Sequence, residues 1–111
     1  MSDVCYHIGQ LQPSASWVLL CMTIARRFIV RGRVQGVGFR YFAVRAARQA
    51  GVTGTVRNLP DGTVEAIAEG TPNAIDQFRS SLQVGPSYGH VSKLDETELQ
   101  PVGYSGFEVS F

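Results

Sequence analysis

Within Arg27-Phe28-Ile29-Val30-Arg31-Gly32-Arg33-Val34-Gln35-Gly36-Val37-Gly38-Phe39-Arg40-Tyr41-Phe42-Ala43 the apolar residues change their period. Up to Val34 the repeat is two: Phe28, Val30, Gly32 and Val34 fall on one face and Arg27, Ile29, Arg31 and Arg33 on the other, the pattern of a half-buried strand. From Phe39 on, Phe39, Phe42, Ala43, Ala46, Ala47 and Ala50 recur at helical spacing and form one apolar stripe. Gly51 is positioned to stop that helix. A strand therefore runs through the turn Gln35-Gly36-Val37-Gly38 straight into an amphipathic helix.

Working outward, Thr53–Leu59 and Thr63–Glu69 are β-prone runs around Pro60-Asp61-Gly62, a hairpin signal. Thr71-Pro72 predicts an N-cap with proline in the first helical position, followed by the stripe Ile75, Phe78 and Leu82, which Gly85-Pro86 ends. A less regular strand is expected between Tyr88 and Leu99, and a last alternating one at Phe107, Val109 and Phe111. The order predicts an α+β fold, a ferredoxin-like βαββαβ sandwich with two helices on one face of an antiparallel sheet. Such a fold hosts enzymes, RNA binders and metal carriers alike.

The chain has 111 residues, 44% of them hydrophobic and 17% charged, which suits one small domain and excludes a disordered chain. Its only cysteines, Cys5 and Cys21, lie outside the patterned region, so neither a disulfide scaffold nor a cysteine-rich zinc site is expected. Residues 1–25 are read as an extension, from an upstream start or a non-native leader, with Met22 as an alternative initiator; residues 26–111 are the domain. The run Trp17–Met22 is too short to span a bilayer, and no basic residue precedes it as a secretory signal would require.

Charge is divided along the chain. Residues 26–57 hold eight arginines and no acid, whereas residues 58–111 hold Arg79 and Lys93 against eight acids. The overall charge is +1. One reading is a site for an anion in the first half; the other pairs these arginines with the acids of the second half on solvated faces.

Gly32 to Arg40 is where chemistry is expected. A strand that turns through glycines into a helix brings free backbone N–H groups to a helix N-terminus, an anion cradle in outline. Spacing alone more often means a plain tight turn, and neither the Walker nor the dinucleotide fingerprint is met. Arg40 sharpens the reading, because a cation in the first helical turn is disfavoured by the macrodipole and a bound oxyanion offsets that penalty. Its planar fork also suits two phosphate oxygens.

This run, followed by Gly54-Thr55-Val56-Arg57-Asn58 and Asp61-Gly62-Thr63-Val64-Glu65, closely resembles the acylphosphatase family over residues 26–111. The resemblance implies a cradle of Gln35, Gly36, Val37, Gly38, Phe39 and Arg40, with Arg40 binding the phosphate and Asn58 orienting the attacking water. Thr55 stands where many members carry an aromatic residue, and residues 1–25 have no counterpart. The resulting expectation is a cytoplasmic, monomeric enzyme. It hydrolyses acyl phosphates to a carboxylate and inorganic phosphate, with no metal or cofactor and no nucleic-acid or membrane partner. His90, the sole histidine after residue 25, is assigned a structural or surface role.

Two alternatives remain. A ferredoxin-like RNA-binding module is suggested by the plan and by Gly36, Gly38, Phe39 and Phe42, which match an aromatic RNA-binding signature that fails at Gln35, Val37 and Arg40. A catalytically silent accessory domain is the other, although Arg40 and Asn58 are both retained.

Overall fold

The computed structural model describes residues 23–111. Its elements are β1 (Ile24–Arg33), α1 (Phe39–Ala50), β2 (Thr53–Asn58), β3 (Val64–Gly70), α2 (Pro72–Val84), β4 (His90–Leu99) and β5 (Phe107–Val109). β1 begins at Ile24, so Ile24 and Ala25 already pair with Gly70 and Glu69 inside the sheet. The extension expected over residues 1–25, with its apolar run and the alternative start at Met22, otherwise lies outside the described residues.

The sheet order is β4-β1-β3-β2-β5. The first four strands pair antiparallel, as the ferredoxin-like plan requires. β5 differs: it joins the β2 edge parallel, with Gly54 opposite Phe107 and Val56 opposite Val109, so the sheet is mixed at that edge. A parallel neighbour needs a crossover from the far end of the sheet. Residues 100–106 make that crossing, and the buried Glu69 carboxylate catches them by accepting from the N–H groups of Val102, Gly103 and Tyr104.

Both helices cover one face. α1 buries Phe39, Ala43, Val44, Ala46 and Ala47, and Gly51 closes it by donating to Ala47 O. α2 starts as its sequence predicts, with Thr71 Oγ1 accepting from Ala74 N at 3.2 Å and Pro72 in the first turn. Between helices and sheet, Phe78 contacts Phe28 and Phe107 edge-on at 5.9 and 5.5 Å. Among the described residues no helix is long and apolar enough to cross a membrane.

The opposite face of the sheet is polar. Glu65 is 5% exposed and lies between Arg27 and Arg57, which donate to its two oxygens at 2.7 and 2.8 Å. Burial alone would push the Glu65 carboxyl up; the two guanidinium hydrogen bonds and their charges outweigh it and hold the group below its ordinary value. A carboxylate held low in the folded state stabilises the fold at neutral pH, and that stabilisation is lost as pH falls through the lowered value. Glu65→Gln is expected to cost about 1–3 kcal/mol at pH 7. In urea unfolding the gap to wild type should narrow below about pH 4, where the native carboxylate also becomes protonated. A gap constant from pH 7 to pH 3 would show that the charge on Glu65 does not matter.

Candidate active site

Val34 is buried as β1 ends, and residues 35–38 then turn into α1. Gly36 and Gly38 both have left-handed backbones, φ 74° and 78°. A Cβ at either would meet no atom within 4 Å, so it is the conformation and not crowding that asks for glycine. Left-handed residues alternating with ordinary ones curl successive N–H groups toward one side, a concavity suited to an anion. α1 opens directly from Gly38 with no side-chain cap and no acid in its first turn. Its first N–H groups and the positive end of its dipole therefore face outward without a carboxylate to neutralise them.

Gln35 anchors this loop. Its side-chain Nε2 donates to Leu59 O at 2.7 Å and to Thr63 O at 2.8 Å, the two ends of the β2–β3 connection. That connection is closed by Leu59 N to Thr63 O at 2.9 Å. Asp61 Oδ1 braces it further, accepting from Thr63 N and Oγ1, and these hydrogen bonds hold its carboxyl below the usual range with help from the Arg31 charge. Both side-chain donors of Gln35 are thus committed to the protein, and only its backbone N–H is left to the loop. Asn58 ends β2 immediately before Leu59 and is partly exposed; its carboxamide takes no part in this network.

Arg40 lies in the first turn of α1, partly exposed, with its guanidinium carbon 5.8 Å from the centroid of the Phe111 ring. It has no acidic partner among the described residues. Phe39 is 2% exposed and packs at 5.7 Å on Phe42, so its ring belongs to the core. Val37 is half-buried. The surface this loop offers is therefore backbone N–H plus the Arg40 fork. Among the described residues no three His, Cys, Asp or Glu side chains gather where they could hold a metal ion.

Residues 26–109 match the family model described as acylphosphatase. The chain belongs to the acylphosphatase family. It is 47% identical over 85 residues to an acylphosphatase of Solibacter usitatus, covering 77% of this chain and 88% of that one. An acylphosphatase of Bordetella parapertussis is 53% identical over 80 residues, 71% of this chain and 85% of that one. The crystal structure of acylphosphatase from Bacillus subtilis superposes with a TM-score of 0.77 at 38% identity, covering 79% of this chain and 99% of that one. Membership makes the chain an enzyme of the acylphosphatase class.

An acylphosphatase fold also explains what the aromatic signature does. The RNA-binding alternative needs its aromatics displayed on a central strand, whereas Phe39 and Phe42 lie on α1 and the open sheet face carries Arg27, Glu65 and Arg57 instead. The Gln35 amide bridge and the position of Phe111 beside Arg40 are not legible in the sequence, since both are contacts across the fold with no local signal. Gln35→Met, which keeps the length and removes the donors, is expected to cost about 1–2 kcal/mol in urea unfolding. Hydrogen-exchange protection of the Leu59 amide should fall with it. Unchanged protection would mean the hairpin holds its shape without the bridge.

Proposed function

We propose that the chain hydrolyses acyl phosphates by holding the phosphoryl group in the N–H concavity of residues 35–39 and the Arg40 fork while Asn58 orients the attacking water. The observation that carries this reading is the combination at one place of left-handed glycines, an uncapped helix N-terminus without acid, and an unpaired first-turn arginine. A cation there is disfavoured by the dipole unless an anion joins it. Gln35 supports the second half of the reading, since it ties the loop to Leu59, the residue after Asn58.

The chemistry asks little of the protein. An acyl phosphate expels a carboxylate whose conjugate acid has a pKa of about 4, so the leaving group departs without a proton. The bond from phosphorus to the acyl oxygen breaks, the bond to the water oxygen forms, and a phosphoryl oxygen of the substrate takes the water proton. What remains for the enzyme is to neutralise the equatorial oxygens and to align the water. Asn58 cannot act as a base, and it needs only to accept one hydrogen bond and donate another. The same reading has the enzyme acting as a cytoplasmic monomer on small molecules, with no cofactor and no nucleic-acid or membrane partner.

Benzoyl phosphate in EDTA tests it. Arg40→Ala should lower kcat/KM by about a thousandfold or more and abolish binding of inorganic phosphate. Asn58→Ala should lower kcat by about a hundred- to a thousandfold while phosphate affinity stays near that of wild type. Equal loss of phosphate affinity in both variants would refute the division of roles, and a wild type inert in EDTA but active with added metal would refute the mechanism.

A further inference from the structure

The loop that forms the proposed phosphate cradle also lines an open cleft of about 620 Å3, to which Gly36 and Val37 contribute together with Arg33, Tyr88 and His90. We propose that this cleft receives the acyl end of the substrate and favours acyl phosphates whose acyl group carries a second oxyanion. The inference rests on the phosphate site proposed above, since it is the cradle that places the acyl end here.

Charge is the first argument. Four arginines of β1 precede the loop, and three of them are engaged: Arg26 with Glu96, Arg27 with Glu65 and Arg31 with Asp95. Arg33, the nearest to the cradle, is exposed and makes no ion pair among the described residues. No acid lines the cleft, and its side-chain hydrogen-bonding groups are a guanidinium, an imidazole and two hydroxyls. Such a lining suits an anionic group and offers no carboxylate that would repel it.

Geometry is the second. β1 and β4 slip register beside the cradle: Arg31 faces Lys93, Gly32 faces Val91 and Arg33 faces His90, so Ser92 is left without a partner. At that slip Gly32 has φ 125°, and a Cβ there would sit 2.2 Å from His90 O. Only glycine lets the two backbones approach this closely, and the approach brings Arg33 and His90 side by side at the strand ends. The α2–β4 connection packs closely on the loop as well, because a Cβ at Gly89 would lie 3.2 Å from Val37 Cγ2 and 3.1 Å from Arg33 O. Tyr88, 83% exposed, stands at the mouth and offers an aromatic surface to an acyl chain.

A second cleft borders the site through Arg40 and runs along α1 past Arg45 and Arg48 to β5. The test therefore separates the two. Four substrates are compared: benzoyl phosphate, its 3-carboxy and 4-carboxy derivatives, and the neutral methyl ester of the latter. Wild type is expected to favour at least one carboxylated substrate over the ester in kcat/KM. Arg33→Gln should reduce that preference about five- to tenfold, chiefly through KM, as the loss of one charge-assisted hydrogen bond at a partly solvated site. His90→Ala should reduce it in the same direction, and Arg45→Gln should leave it intact. Turnover of benzoyl phosphate with no carboxylate preference in wild type, or a preference that survives Arg33→Gln, overturns the subsite alone. A preference lost in Arg45→Gln and kept in Arg33→Gln puts the acyl end along α1 and overturns it as well. No turnover of any of the four, with no binding of inorganic phosphate, removes the phosphate site on which the inference stands.

Discussion

Two hydrogen bonds from one amide group hold the site together. Gln35 spans 24 and 28 residues of sequence to reach Leu59 and Thr63, and it is what joins the β1–α1 loop to the end of the β2–β3 hairpin. A loop that must present its N–H groups outward cannot use them to fasten itself, so a side chain has to do the fastening. Glutamine is suited to this because its NH2 carries two donors at fixed angle, enough to satisfy two carbonyls at once. The hairpin is equally prepared for the contact, since Asp61 and the Leu59–Thr63 pairing hold both acceptor carbonyls in place. The glycines, which adopt left-handed conformations without strain but are flexible in the unfolded chain, are then fixed in place because the chain on either side is held by β1, by Gln35 and by α1.

The division of charge along the chain turns out to have two causes. Arg26, Arg27, Arg31 and Arg57 of the basic half pair with Glu96, Glu65 and Asp95 of the acidic half, and these pairs knit β1 and β2 to β3 and β4. Glu96 is shared with Arg79 of α2, which also holds Asp76, so helix and sheet meet over a small charged network. Hydrogen bonds from Arg79, followed by the charges of Arg79 and Arg26, keep the Glu96 carboxyl below its ordinary value. Arg33, Arg40, Arg45 and Arg48 stand apart: they make no ion pair among the described residues, and they cluster at the loop and along α1. The pairing reading of the charge pattern therefore holds for Arg26, Arg27, Arg31 and Arg57, and the unpaired four are the ones left for the proposed anion site. Position decides which arginines pair, because those inside β1 and β2 reach acids of the neighbouring strands, whereas Arg33 at the last position of β1 and the arginines of α1 do not.

What the sequence made legible was whatever depends on period and on local backbone chemistry. The Phe39–Ala50 stripe, the Thr71-Pro72 helix start and the Pro60-Asp61-Gly62 turn all act within a few residues, and each lies where the pattern puts it. The parallel pairing of β5 was not legible, because three residues carry too little pattern to choose a partner and the choice is made by the crossing that Glu69 pins. Burial of Glu65 and Glu69 was hidden for a related reason. In a strand an acid at an alternate position reads as solvent-facing, and only the tertiary partners show that it is enclosed. At the site, the glycine turn and the helix start were visible, whereas the Gln35 bridge and the Arg33–His90 pair depend on which strand ends meet. The register slip at Gly32 is the extreme case, since a single unpaired residue, Ser92, changes which side chains stand opposite each other.

The economy of the site bears on where its selectivity can reside. A carboxylate leaves unaided, so a small domain with no acid–base pair at the loop can run the reaction from rigid amides, one guanidinium and one carboxamide. In the proposed mechanism everything those groups touch is common to all acyl phosphates: the phosphoryl oxygens and the water. Binding energy drawn from them is spent equally on every member of the class and cannot distinguish one acyl group from another. Under the proposed mechanism, discrimination has to come from residues beside the cradle that take no part in the chemistry. The α2–β4 connection and the end of β1 are then the region free to vary with the substrate, while Gly38, Arg40 and Asn58 are held to the needs of the phosphoryl group and Gln35 to its two carbonyls. Arg33 lies at the boundary of the two, two residues from Gln35 and opposite His90, where the proposed subsite meets the proposed cradle.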